Sequence, residues 1–205
     1  MTIELRQVSK RYTDQWILKN IDLTLNHNVI YGILGSNGSG KSTLVNMLSG
    51  HLSPTRGDII YRSNSGEEIR RDDIYNYVCL WGPHTGLLQH LTIREMVDYH
   101  FSFKTRIPQS LDLFMNKMNL SVPVDRKIHS LSSGQAQRLA LSLTIMSQGD
   151  ILLLDEPGSF LDEDSILWMN GLIQEFSDNR LVVIASNETR DLVLATASIH
   201  VQDYH

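Results

Sequence analysis

Cysteine is nearly missing from this chain. Cys79 stands alone among 205 residues, so no internal disulfide can form and a reducing cytoplasm is the expected compartment. A charged-then-apolar leader is also lacking at the start of the sequence. Long hydrophobic runs are absent too: apolar runs such as Ile151 to Leu154 and Leu181 to Ala185 fall far short of the roughly 20 residues that cross a bilayer. Action at a membrane would therefore need another chain to do the spanning. Positive charge is in deficit, with a formal net charge of -5, which argues against a general nucleic-acid binder, and no nucleic-acid partner is expected. No internal repeat and no low-complexity segment is present.

The remainder is ordinary globular material, 41% hydrophobic and 20% charged, long enough to bury one core and predicting a single domain over 1–205. Ile3, Leu5 and Val8 alternate with polar residues, and Ile17 to Leu25 alternates again, which predicts an antiparallel β region at the N-terminus. Val29 to Leu34 is a short continuous apolar run, suited to a strand buried on both faces. A helix over Lys41 to Leu48, closed by Gly50, follows. Asp58 to Tyr61 reads as a strand and the polar stretch Arg62 to Asp73 as a hairpin tip or loop. Leu91 to Leu120 has helical spacing. Further on come a helix near Ser133 to Ser147, the strand Ile151 to Leu154, a helix near Glu163 to Phe176 and the strand Leu181 to Ala185. Strands alternating with helices predict an α/β fold, a parallel sheet flanked by helices. Residues 1–80 and 148–205 would form the core with its β region, and about 85–147 a helical subdomain.

Two segments carry chemistry. Gly35-Ser36-Asn37-Gly38-Ser39-Gly40-Lys41-Ser42 fits the phosphate-binding loop pattern and lies where its mechanics require, between a buried strand and a helix. Its glycines let backbone N–H groups turn inward around phosphate oxygens while the helix adds the positive end of its dipole. Lys41 would hold the β- and γ-phosphates of a nucleotide, the Ser42 hydroxyl would sit on Mg²⁺, and Thr43 would complete the cradle. A flexible glycine turn is the bland alternative. Downstream, Ile151-Leu152-Leu153-Leu154-Asp155-Glu156-Pro157 is an apolar strand ending in adjacent carboxylates. At the carboxyl end of a parallel strand, Asp155 can reach Mg²⁺ and Glu156 can polarise an attacking water.

Between them, Leu131-Ser132-Ser133-Gly134-Gln135 opens a helix with Ala136, Leu139, Ala140 and Leu143 on one side. A phosphate loop, then LSSGQ, then ILLLDEP resembles the ATP-binding cassette (ABC) family of P-loop NTPases over nearly the whole chain, LSSGQ being close to that family's LSGGQ signature. The resemblance implies that Tyr12 stacks on adenine and that Ser159-Phe160-Leu161-Asp162 forms the D-loop, which touches a partner subunit. It also implies a homo- or heterodimer, in which Ser132, Ser133, Gly134 and Gln135 of one copy contact the γ-phosphate of ATP held by the other. Ser133 replaces the first glycine of the signature.

Two family positions are filled unusually. The glutamine that senses Mg²⁺ and the attacking water aligns with His84, an imidazole that can accept a hydrogen bond or bind metal, a solvent-facing loop histidine being the alternative. The histidine that contacts the γ-phosphate aligns with Asn187, whose amide can donate a hydrogen bond but cannot carry positive charge. Slow turnover with ATP binding preserved is expected. The resemblance further implies an integral membrane permease subunit as partner and a peripheral position on the inner face of the cell membrane. Short cassettes of this length resemble those of bacterial multi-component transporters, including haem exporters. A weakly hydrolysing regulatory or heterodimer-partner cassette is the alternative. A soluble cassette for DNA repair or translation would usually require a long coiled-coil insertion or a second cassette, and neither is present.

Overall fold

The computed structural model of the chain describes residues 1–83 and 85–205. Among these residues the strands form two sheets. The first is antiparallel, in the order β2 (Gln15–Asn26), β1 (Thr2–Tyr12), β4 (Arg56–Arg62), β5 (Glu68–Ile69). Register shifts after Leu5 and Val8 break the β1–β2 ladder, with Gln7 and Asn20 at positive φ, as bulges do. The polar stretch after Tyr61 is a hairpin tip whose return strand is β5, followed by a 3-10 turn over Arg71–Asn76.

The second sheet is parallel, in the order β6 (Val78–Trp81), β7 (Ile151–Asp155), β8 (Leu181–Ala185), β3 (Ile30–Leu34), β9 (Ala197–His200). The edge strands β6 and β9 are additions to the sequence reading; four residues each carry too little periodicity to be read without the neighbour they pair with. Every residue of β7 and β8 is buried, and their side chains divide by parity. Ile151, Leu153, Leu181, Val183 and Ala185 join a core shared with β1, β2 and α1 (Lys41–Leu48). Leu152, Leu154, Val182 and Ile184 join a second core with the remaining helices. Alternation of side chains across a strand thus explains why these segments read as continuous apolar runs: both faces are covered.

The second core holds α2 (Ile93–Phe101), α3 (Leu111–Met118), α4 (Ser133–Ile145) and α5 (Glu163–Phe176). Local chemistry fixes their starts. Thr92 and Glu95 form a reciprocal capping box at α2, and Ser110 and Asp162 cap α3 and α5 through their side chains. Because β3, β7 and β8 run parallel, the loops leaving them share one edge of the sheet, and the order β7-β8-β3 sets three of them side by side. That edge is where the loop 35–40, the pair Asp155-Glu156 and Ser186-Asn187 meet.

Candidate nucleotide site

The loop after β3 enters α1 through Gly40, which sits at φ 100 and offers no side-chain cap, and the first turn of α1 holds no acidic residue. The N–H groups there lack intrahelical acceptors and face no competing carboxylate on their own helix, as an anion cradle requires. A Cβ at Gly35 would stand 2.4 Å from the Ser39 Oγ and 3.2 Å from the Ser39 Cβ, so a larger residue at the base of the loop would force the Ser39 side chain to turn away. The Nε2 of His205 donates to the Ser39 carbonyl at 2.9 Å, bracing the loop from the far end of the chain.

Lys41 is buried and folds back over the loop: its Nζ donates to the Gly35 and Ser36 carbonyls at 2.9 and 3.4 Å and lies 3.2 Å from Glu156 Oε1. Its donors are thus held by oxygen partners at the place where the more highly charged phosphate oxygens would arrive. Tyr12, Ile17, Asn37, Gly38, Gly40, Lys41, Ser42, Thr43 and Glu156 line one cleft of about 370 Å³. The structure therefore brings together the aromatic, the phosphate loop and the carboxylate that the sequence picked out separately. Tyr12 is 47% exposed at the cleft mouth, with the Lys10 Nζ over its ring at 5.2 Å.

Glu156 sits at φ 51, a left-handed conformation that a non-glycine residue adopts at a cost and which often marks a functional position. Its N–H donates to the Ala185 carbonyl at 2.7 Å. Asp155 is buried beside it, and a Cβ at Gly82 would lie 3.5 Å from the Asp155 Cβ, so the loop after β6 passes directly over this carboxylate. His84 lies outside the described residues. Asn187 Nδ2 donates to the Asn37 Oδ1 at 3.2 Å, which ties the loop after β8 to the phosphate loop.

The segment 132–135 stands elsewhere. Ser132 accepts from the Gln135 N–H at 3.2 Å while the Gln135 Oε1 accepts from the Ser132 N–H at 3.1 Å, a capping box that consumes both side chains. The first-turn N–H groups of Ser133 and Gly134 are left as the outward donors of α4. Ser132, Gly134 and Gln135 line a separate cleft of about 250 Å³ with Phe160, Asp162 and Arg138 among others. A Cβ at Gly134 would come within 3.1 Å of the Phe160 carbonyl, so this glycine permits close packing against the loop 159–162. The two clefts share no lining residue.

Sequence reasoning missed several supporting residues. Gln137 Nε2 donates to the Pro157 carbonyl at 2.9 Å inside the protein, joining α4 to the carboxylate turn. Arg138 stacks on Trp168 at 4.5 Å and donates to the Asn119 carbonyl and the Ser165 Oγ. Ser186 Oγ lies 2.7 Å from Asp191 Oδ2 and 3.2 Å from Glu156 Oε2. Burial pushes the Asp191 carboxyl above the usual aspartate range, with Ser186 pulling the other way. Adjacency of Ser186 to Asn187 at a strand end was the one available signal; nothing in the pattern marks Asp191.

A parallel sheet with a glycine loop feeding a helix at its carboxyl edge, and a carboxylate pair two strands away, defines a phosphate-loop nucleotide-binding domain. Residues 18–159 match the ABC transporter family, and the chain belongs to that family. It is an ATP-binding, ATP-hydrolysing cassette. It is 28% identical over 216 residues to the "Putative hemin import ATP-binding protein HrtA" of Staphylococcus haemolyticus, covering 99% of this chain and 98% of that protein. The sulfate/thiosulfate import ATP-binding protein CysA of Pseudomonas syringae pv. tomato is 32% identical over 171 residues, covering 79% of this chain, which spans 52% of that protein's length. The dimeric structure of MJ0796, a bacterial ABC transporter cassette, superposes with a TM-score of 0.80 at 23% identity, over 97% of this chain and 93% of that one, a likeness of fold. Among the described residues no helix is long and apolar enough to cross a membrane.

Proposed function

We propose that two cassettes close face to face around ATP and that this closure drives a separate membrane-spanning permease, placing the chain at the inner face of a membrane through its partner. The observation that carries the reading is the separation of the two clefts. One chain holds a phosphate loop in the first and an outward helix terminus in the second, so the α4 N-terminus can serve a triphosphate only when a second cassette presents it. The CysA and HrtA relatives are named as import ATP-binding proteins, and MJ0796 as a dimeric cassette, which supports the same assembly here. The core over 1–80 and 148–205 carries one cleft, and the helical part over about 85–147 brings the other. Tyr75, in the turn before β6, and Tyr99 and Phe103, on and just after α2, are exposed, with Tyr99 and Phe103 edge to face at 5.2 Å, aromatic side chains of the kind a partner covers.

In the cleft, Tyr12 stacks on the adenine and Lys41 leaves its carbonyl partners for the β- and γ-phosphates. Ser42, in the first turn of α1, and Asp155, at the end of β7, offer hard oxygen donors on elements packed against each other, a donor set that suits Mg²⁺. Bound there, the ion would neutralise charge on the phosphate oxygens. Glu156 takes the proton of the attacking water, and Asn187 donates a hydrogen bond toward the γ-phosphate. With an amide in place of an imidazolium, charge stabilisation at that point is weaker and turnover slow. The substitution at Asn187 also favours a second reading, a weakly hydrolysing half of a heterodimer that acts as an ATP-driven dimerisation switch.

Replacing Glu156 by glutamine keeps shape and removes the base. With saturating ATP and Mg²⁺, Glu156→Gln should run as a dimer in light scattering, while nucleotide-free protein runs as a monomer. A variant that binds ATP and stays monomeric would overturn the sandwich.

A further inference from the structure

The geometry points to Ser186, anchored by Asp191, as the positioning residue that holds Glu156 in place as the base once ATP has taken Lys41 away. This rests on the proposed role of Glu156. Glu156 is gripped from two sides in the structure: Lys41 Nζ lies 3.2 Å from Oε1 and Ser186 Oγ lies 3.2 Å from Oε2. Phosphate oxygens compete for the first partner, because an ammonium prefers the more highly charged oxygens of a triphosphate. The second partner lies behind the carboxylate, on the loop after β8, and Ser186 is 1% exposed, so nucleotide has no route to displace it.

Counting hydrogens on the Ser186 hydroxyl gives its direction. Its oxygen accepts the Glu188 N–H at 3.0 Å. It lies 2.7 Å from Asp191 Oδ2, and it owns a single hydrogen. Were Asp191 ionised, that hydrogen would go to the closer Asp191, and Glu156 would lose its donor. Were Asp191 neutral, its own O–H would donate to Ser186 Oγ, and the Ser186 hydrogen would be free for Glu156. Each lone pair and the hydrogen of the hydroxyl are then used, in a chain running Asp191 to Ser186 to Glu156. Asp191 is 1% exposed, and its burial and the Glu188 carboxylate raise its pKa, against Ser186, the Gly158 N–H and Arg190; only the protonated form leaves the Ser186 hydrogen for Glu156. The pocket is also closed from above, since a Cβ at Gly158 would stand 2.0 Å from Asp191 Oδ1. The chain thus fixes one oxygen of the base and leaves the other for water.

The test compares ATP hydrolysis and nucleotide affinity in five variants. Ser186→Ala should lower kcat about tenfold, the worth of one hydrogen bond to a charged group, with KM and ATP affinity within about twofold of the parent. Ser186→Thr, which keeps the hydroxyl, should recover most of that loss. Asp191→Ala should lower kcat likewise, and Asp191→Asn should recover it, because the amide N–H donates to Ser186 Oγ as the acid does. A residue of merely structural importance would not show this split, nor rescue by an amide. Parent-like kcat in Ser186→Ala, or Asp191→Asn as slow as Asp191→Ala, with Glu156→Gln inactive, overturns the positioning role and leaves the base assignment standing. If Glu156→Gln itself keeps its rate, the base assignment falls and the positioning role with it. Should Ser186→Ala fail to bind ATP, the Asp191 pair decides.

Discussion

Gly158 follows the carboxylate turn Asp155-Glu156-Pro157, and replacing it with alanine adds one methyl group at a place where the structure leaves no room. The added Cβ would stand 2.0 Å from Asp191 Oδ1, 2.6 Å from Cγ and 2.7 Å from Oδ2, the nearest of them more than an ångström inside ordinary contact with a carboxylate that is itself buried. Two responses are open: Asp191 withdraws and breaks its 2.7 Å bond with Ser186, or the loop 157–161 lifts and strains the Leu161 N–H bond to the Gly158 carbonyl. Overpacking of this kind costs ~1–3 kcal/mol, and a buried hydrogen bond left unmade a further ~1–3 kcal/mol. A total of about 3 kcal/mol lowers the melting temperature of a chain this long by about 6–12 °C. Calorimetry on the nucleotide-free protein reads the shift, and phosphate release on the same sample reads the catalytic loss. A melting temperature within about 2 °C of the parent, less than 1 kcal/mol in a chain of this size, would show that the contact between Gly158 and Asp191 is not tight and would remove the reasoning.

Asn187→His restores a charged donor at the γ-phosphate position and should raise steady-state hydrolysis at least about tenfold, a modest share of what acid–base groups supply; an unchanged rate would remove Asn187 from that position. Tyr12→Ala should weaken ATP binding about tenfold in a fluorescence titration, since base–aromatic stacking contributes ~1–3 kcal/mol, and equal affinity for ATP and inorganic triphosphate in the parent protein would contradict the stacking. For Asp191 the sign follows from its raised pKa. The folded chain binds that proton more tightly than the unfolded one, so stability falls as pH climbs from the ordinary aspartate value to the raised one, and stays lower above it. Asp191→Asn removes the penalty. Its melting temperature should exceed the parent's near neutral pH and converge with it in acid; a constant offset at all pH values would show that Asp191 does not titrate as described.

Much of the site was legible because short-range rules write it. Gly35 to Ser42 must carry glycines where the backbone turns inward and a lysine and a hydroxyl where phosphates and a cation sit, so the loop shows in the letters. The run Ile151 to Glu156 shows a strand buried on both faces and the carboxylates that end it. Tyr12 and Asn187 were placed by resemblance, and the structure puts Tyr12 at the mouth of the cleft and Asn187 against Asn37. The strands β6 and β9 were not read, since an edge strand of four residues is defined by its neighbour's hydrogen bonds more than by its own pattern.

By itself the sequence determined the kind of machine: an α/β cassette, its phosphate loop, its carboxylate pair and a signature turn, each encoded within a handful of consecutive residues. Tertiary structure alone decided how these parts relate. It set β8 between β7 and β3, so that Ser186 falls behind Glu156, and it brought Asp191 under Gly158, a meeting across more than thirty residues of chain. It also sent Ser132 to Gln135 to a different cleft from Lys41. Local spacing fixes which backbone groups turn inward. Contacts between distant segments depend on strand order and packing, which no window of neighbouring residues contains.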